Sequence, residues 1–198
     1  MRFISDLPIV NNGIFVYDLD IKKDHSKYYK SLKYMACGDG ASSEISIKRN
    51  VLNKLPEIKK EIKLACNHFI NEILSMECDY HIYNSWTTLT GASCESGSHA
   101  HANSWISGVY YPEHNKNFNI TFYNDYHNFY MTKVKQFGIY NSRTFTVNPK
   151  KNQLILFFSS LRHKIDKNNS NIDRYSLSFN ILPKGDFGVE DSRVNFKF

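Results

Sequence analysis

Residues 99–112 read HAHANSWISGVYYP, and the change of character halfway along them decides what fold to expect. The second half, SWISGVYY, is a short run of aromatic and β-branched residues closed by a proline, the composition of a β-strand. If the backbone is already extended over the first half, side chains alternate, and His99 and His101 project to one face. Two imidazoles side by side at the mouth of a strand could hold a metal. They could equally be a polar strand face turned to water, and the rest of the chain has to decide.

Outward from this stretch the same texture recurs. YHIYNSWTTL (80–89), NFNITFYN (117–124), NFYMTKVKQF (128–137), RTFTV (143–147), QLILFF (153–158) and RYSLSFNIL (174–182) are rich in β-branched and aromatic residues. Turn formers separate them in HNKN, NDYHN, NPKKN and DKNNSN. Such closely spaced strands predict a sandwich or barrel, with a jelly roll as the natural candidate. Before residue 80 the pattern is helical. From Pro56 to Met76 the apolar residues Ile58, Ile62, Ala65, Cys66, Phe69, Ile73 and Leu74 recur at three- and four-residue steps, which predicts an amphipathic helix opened by the proline. A shorter helix is expected in DHSKYYKSLKYMA (24–36) with Asp24 as its cap, then a loop at GDGASS. The expected fold is α+β but mainly β: a single domain over 1–198, in which helices in 1–79 pack on a double-stranded β-helix, or jelly roll, in 80–198.

The 198 residues suffice for one sizeable core. Hydrophobic residues make up 41% and aromatics 15%, including thirteen Tyr and fourteen Phe, which excludes a disordered chain. The net charge of +6 comes from scattered lysines such as Lys22, Lys23, Lys59, Lys60, Lys150 and Lys151. It implies solubility and weak attraction to anions. Lysines interleaved with aromatics in HNFYMTKVKQF leave nucleic acid open as a weakly supported partner. The four cysteines, Cys37, Cys66, Cys78 and Cys94, form no C-x-x-C pair, and neither a signal peptide nor an apolar membrane-spanning run is visible. A reducing cytoplasm and no membrane are therefore expected, with the thiols as small core residues.

Three features after residue 80 matter together: His99-Ala100-His101, a lone His163 after the buried run QLILFFSSLR, and Arg174-Tyr175-Ser176 opening the last long strand. A facial non-haem iron(II) site takes two ligands from one strand and a histidine from a distant one, leaving three positions open. H-x-H followed much later by His163 has this layout. A dicarboxylate cosubstrate also needs a bidentate cation on a neighbouring strand. Arg174 follows His163 after enough residues for a turn and a return strand, and Ser176 would share its face.

The order of SW (85–86), H-x-H, NSWISGVYY (103–111), FFSSLRH (157–163) and R-x-S-x-SFN (174–180) resembles the family of 2-oxoglutarate- and iron(II)-dependent oxygenases found in marine bacteria and their phages. At greater distance it is similar to the prolyl hydroxylases. The resemblance covers Ser85 to Pro183. It implies a jelly roll with iron(II) at one end and 2-oxoglutarate as cosubstrate. Carried over residue by residue, it implies that His99, His101 and His163 are catalytic metal ligands, and that Arg174 and Ser176 hold the distal carboxylate of 2-oxoglutarate. Tyr111 falls where a tyrosine of the prolyl hydroxylases reaches that carboxylate, and Ser107 lies on the same strand face. Asn103 and the strand from Ser85 to Leu89 are expected to line the pocket. One departure stands out, because most of the wider superfamily has H-x-D where this chain has His101. The carboxylate could come instead from Asp125.

The function expected is hydroxylation of an unidentified substrate, with release of succinate and CO2. The alternative is a cupin-like jelly-roll module that binds metal or a ligand without oxidative turnover. A protein residue, a nucleobase and a small metabolite are all open as substrates, read by the loops HNKN, NDYHN and Gly138 to Ser142. The helical half offers a face for a homodimer, and the compartment would be the host cytoplasm for a phage protein. His25, His68, His81, His114 and His127 have no comparable context, Trp86 and Trp105 are expected in the core, and Tyr110 and Tyr111 should face opposite ways, one inward and one outward.

Overall fold

The protein is described by a computed structural model covering residues 13–38, 41–113, 118–125, 135–138 and 141–197. Its elements in chain order are β1 (Ile14–Asp18), α1 (Ser26–Ser31), β2 (Tyr34–Ala36), β3 (Glu44–Ser46), a 3-10 turn (Val51–Lys54) and α2 (Pro56–Asn67), which runs on into a wide π-type turn (His68–Ile73). Then follow β4 (Asp79–Thr90), β5 (Ile106–Tyr111), β6 (Ile120–Tyr123), β7 (Thr144–Val147), β8 (Gln153–Phe158), β9 (His163–Ile165), β10 (Arg174–Phe187) and β11 (Val194–Phe196).

The strands form two antiparallel sheets. The larger has the order β1-β8-β5-β10-β4-β3-β2, with β11 paired to the far half of β10, and the smaller has the order β7-β6-β9. Two cores follow from period-two alternation. On one face of the large sheet, Ile106, Tyr110, Leu154, Leu156, Tyr175, Leu177, Phe179 and Ile181 pack against Ile58, Ile62, Cys66 and Phe69 of the helical segment. On the other face, Val109, Tyr111, Ile155 and Phe157 meet Phe118, Ile120, Phe122 and Ile165 of the small sheet. Each such side chain contributes about 1.5–3 kcal/mol by leaving water. The mainly β jelly roll with helices packed on it is the architecture that the strand pattern predicts.

The long helix starts at Pro56 as its periodicity requires, and its buried residues Ile58, Ile62, Ala65 and Cys66 are those of the apolar stripe. Three expectations need correction. Among the described residues before 79, strands accompany the helices: β1 lies along β8, from Ile14 opposite Phe157 to Asp18 opposite Gln153, and β2 and β3 extend the far edge. These strands are three to five residues long, too short to show a period, and pairing with the sheet fixes them. The helix after Asp24 stops at Ser31, and Tyr34–Ala36 turns to strand. The residue at the cap position is His25 and not Asp24, although Asp24, one residue earlier, accepts the Ser26 backbone N–H at 2.8 Å. Thirdly, Tyr110 and Tyr111 are both buried, because β5 is covered on both faces. Trp86 and Trp105 are both half-buried, Trp105 packing against the helix-side core. Cys66 is buried, whereas Cys37, Cys78 and Cys94 are half-buried. Most of the expected strand 128–137, the loop HNKN, most of NDYHN, and His114 and His127 lie outside the described residues.

Candidate metal centre

The H-x-H segment does not belong to a regular strand, but it is pinned in extended form by backbone bonds to the β8–β9 connection. His99 and His163 exchange N–H···O bonds of 2.9 and 2.8 Å, and the His101 N–H donates to Ser159 O at 2.9 Å. This lattice carries two imidazoles on one side and brings the third up from β9. The rings of His99 and His101 are stacked at 5.3 Å, and His163 stands 4.5 Å from the first and 5.2 Å from the second. One ring nitrogen from each lies within 4.8 Å of the others, a group able to hold a metal ion.

Hydrogen bonds decide which nitrogens those are. The Nδ1–H of His99 donates to Gly97 O at 2.9 Å, and that of His163 to Leu161 O at 3.0 Å. His101 Nδ1 lies 2.7 Å from Asn180 Oδ1. With each Nδ1 engaged, the Nε2 lone pairs are left for a metal, as such ligands require. The site is also dry on one side, where Phe157 and Phe122 stand 4.7 and 5.9 Å from His163. Burial pushes the His163 imidazole down to about 3, with His99 adding to the effect, and burial also lowers His101. Neutral imidazoles are the form that binds metal.

Asp125 is elsewhere. Its carboxylate takes a bidentate pair from Arg162, at 2.9 Å to Nε and 2.6 Å to Nη2, and it is half exposed. Arg162 also caps the Tyr123 ring at 4.4 Å and donates to Ser98 Oγ. Among the described residues the grouped ligands are therefore three histidines, and His101 stands where a carboxylate was the alternative.

The inner face of β10 carries Arg174, Ser176, Ser178 and Asn180 in alternation, all buried. Arg174 is 2% exposed, its guanidinium lies against the face of Phe118, and its three nitrogens have no hydrogen-bond partner among the described residues. The buried hydroxyl of Tyr111, which packs edge-on to Phe118 at 5.1 Å, is also without one. Burial lowers Arg174 to about 9, with the charges of Tyr111 and Asp166 opposing. A buried cation with no counter-ion is expensive. Two orphaned donors together form a cradle for a carboxylate. Ser176 shares the Arg174 face. Ser107 is committed differently: its Oγ lies 2.8 Å from His101 Nδ1 and 2.7 Å from Ser159 Oγ.

A groove of about 340 Å³ opens on the histidines, lined by Cys37, Ile45, Arg49, Asn84 and Trp86 among others. Trp86 stands 5.9 Å from His101. Asn103 is exposed, and its carbonyl accepts the Tyr83 hydroxyl. Ser85 points to the helices, where its Oγ accepts the Leu52 N–H. Sequence reasoning missed Asn180, Ser159 and Phe118. The period-two row from Arg174 to Asn180 contained the signal for the first.

With this arrangement in place, comparison with known proteins has one clear outcome. Residues 84–180 match the family described as "Putative 2OG-Fe(II) oxygenase". The matched segment takes in all three histidines, Ser107, Tyr111, Arg174, Ser176 and Asn180. No curated protein matches the chain. Solved structures resemble it in fold. A prolyl-4-hydroxylase of Pseudomonas putida has a TM-score of 0.58 at 12% identity, over 88% of this chain and 94% of that one. SnoK, a non-heme alpha-ketoglutarate-dependent carbocyclase from nogalamycin biosynthesis, has 0.61 at 9%, over 88% and 81%. HygX of Streptomyces hygroscopicus, solved with nickel and 2-oxoglutarate, has 0.57 at 10%, over 87% and 83%. The 2OG oxygenase jelly roll is thus the fold of this chain. No helix among the described residues is long and apolar enough to cross a membrane.

Proposed function

We propose that this protein is an Fe(II)- and 2-oxoglutarate-dependent dioxygenase that hydroxylates its substrate with release of succinate and CO2. The observation that carries this reading is the presence, in one chain, of three convergent histidines and a buried Arg174 guanidinium on β10 without a hydrogen-bond partner among the described residues. Structures of similar fold hold metal and 2-oxoglutarate, as HygX does, and the orphaned donors here fit the distal carboxylate of that cosubstrate.

His99, His101 and His163 would hold iron through Nε2, and bound iron would activate O2, with two electrons from 2-oxoglutarate as it goes to succinate and CO2 and two from the substrate C–H bond, one oxygen atom ending in each product. The protein's part is binding and orientation. Arg174 and the Tyr111 hydroxyl take the carboxylate, giving the guanidinium the anion it lacks, with Ser176 beside them on β10. Phe118 keeps water from the carboxylate end, and Phe122 and Phe157 keep it from His163. Substrate would enter by the groove along Trp86, which reaches His99 and His101 directly. Ser107 belongs with His101 in this scheme and not with the carboxylate.

Three neutral ligands leave the whole charge of the ion on the site, and so would suit a cupin-like binding module too. Arg174 separates the two readings, since a plain metal site has no use for it. The test is calorimetric titration of the Ni(II)-loaded protein with 2-oxoglutarate. Wild type should bind, and Arg174→Met should weaken binding by at least about tenfold, the loss of one charge-assisted contact. Equal affinity in the two proteins would remove the cosubstrate from the assignment.

A further inference from the structure

The three histidines differ in what stands behind them. His99 and His163 donate Nδ1–H to backbone carbonyls two residues earlier, a partner that any side chain at those positions would leave in place. His101 depends on side chains. Its Nδ1 meets Asn180 Oδ1 at 2.7 Å and Ser107 Oγ at 2.8 Å. Ser107 Oγ is in turn 2.8 Å from Asn180 Oδ1 and 2.7 Å from Ser159 Oγ. Ser107 and Ser159 are 0% exposed and Asn180 is 6% exposed, so no water competes for these atoms.

One donor pattern satisfies the cluster. Ser159 O–H donates to Ser107 Oγ, Ser107 O–H donates to Asn180 Oδ1, and His101 Nδ1–H donates to the same amide oxygen. A neutral imidazole has one N–H and one lone pair, so an acceptor at Nδ1 selects a lone pair at Nε2. On the reading of these histidines as metal ligands, we propose that Asn180, backed by Ser107, is the positioning residue that holds His101 in its Nδ1–H form and aims Nε2 at the metal. The partner is a neutral amide, so the ring is oriented without adding negative charge behind it. Asn180 also shares the inner face of β10 with Arg174, so that one strand supports both the metal end and the carboxylate end of the site.

The opposite arrangement, with the Asn180 amide turned so that its NH2 donates to Nδ1, would put the proton on Nε2 and block the ligand atom. Nitrogen-15 shifts of the His101 ring in metal-free protein separate the two. Wild type should show Nδ1–H. Asn180→Leu, which removes the acceptor, should give a tautomer mixture and a Co(II) affinity lower by about 10- to 100-fold, the usual cost of losing such a partner. Asn180→Asp, which keeps an acceptor oxygen, should restore both, and Ser107→Ala should show a smaller loss in a core disturbed by one atom only. A wild-type proton on Nε2, or an unchanged tautomer in Asn180→Leu and Ser107→Ala, would overturn the proposal. A wild type with the expected tautomer that binds no Co(II) would overturn the metal reading and leave the orientation of the ring by Asn180 standing.

Discussion

Arg174 is buried without a partner, and this has a consequence for stability as well as for binding. An uncompensated interior charge costs several kcal/mol, so Arg174→Met should stabilise the ligand-free protein by about 1–3 kcal/mol, or about 2–4 °C in Tm per kcal/mol for a chain of this size. Thermal unfolding with and without 2-oxoglutarate checks this. Wild type should gain Tm from the cosubstrate by linkage, and the variant should not; a lower Tm for the metal- and ligand-free variant would mean that the guanidinium is satisfied. Asp125 provides the opposite case. Its pair with Arg162 is half exposed, so Asp125→Ala should change stability by less than about 1 kcal/mol. Titration with Co(II) should find its metal affinity unchanged, and a large loss would return Asp125 to the ligand set. The grouping of His99, His101 and His163 was legible in the sequence, because alternation and order along the chain are local properties, whereas Tyr111 was singled out only through the family resemblance. That Ser107 serves His101 was not legible, since its partners Ser159 and Asn180 come from strands far away in sequence.

β10 and β5 form the spine on which these side chains are mounted. Gly108 pairs with Phe179, whose ring lies over the glycine where a Cβ would be, with Leu156 beside it. Gly108→Ala should therefore force the Phe179 ring aside and cost about 1–3 kcal/mol, the price of overpacking, measured by urea unfolding; a neutral result would show that the ring can swing away freely. The strands β4, β5, β8 and β10 were readable because long runs of β-branched and aromatic residues declare themselves. β6 and β7, four residues each, were readable within NFNITFYN and RTFTV; β1, β2, β3, β9 and β11 were not, and each takes its conformation from the neighbour it pairs with. The helix from Pro56 was readable through its stripe, and its π-type ending at His68–Ile73 has no sequence mark that we can name.

The large sheet has to be covered on both faces, by the helical segment on one and the small sheet on the other, and this ties the N-terminal half to the site. Ile62, fully buried among β-sheet residues, makes the point: Ile62→Ala should cost about 2–5 kcal/mol by cavity formation. Because both cores share one sheet, the whole chain should unfold in a single urea transition, with circular dichroism and tyrosine fluorescence coincident. Separate transitions for helix and sheet would contradict this. At the same level the proposed function requires one molecule to bridge the three histidines and Arg174 of β10. The measurement that addresses this directly is an anaerobic titration of the protein with Fe(II) and 2-oxoglutarate, followed by visible absorption. A weak charge-transfer band that requires both additions, and that is lost in His163→Ala and weakened in Arg174→Met, is the result expected. Iron binding with no band on adding 2-oxoglutarate would contradict the account and leave a metal-binding jelly roll in its place.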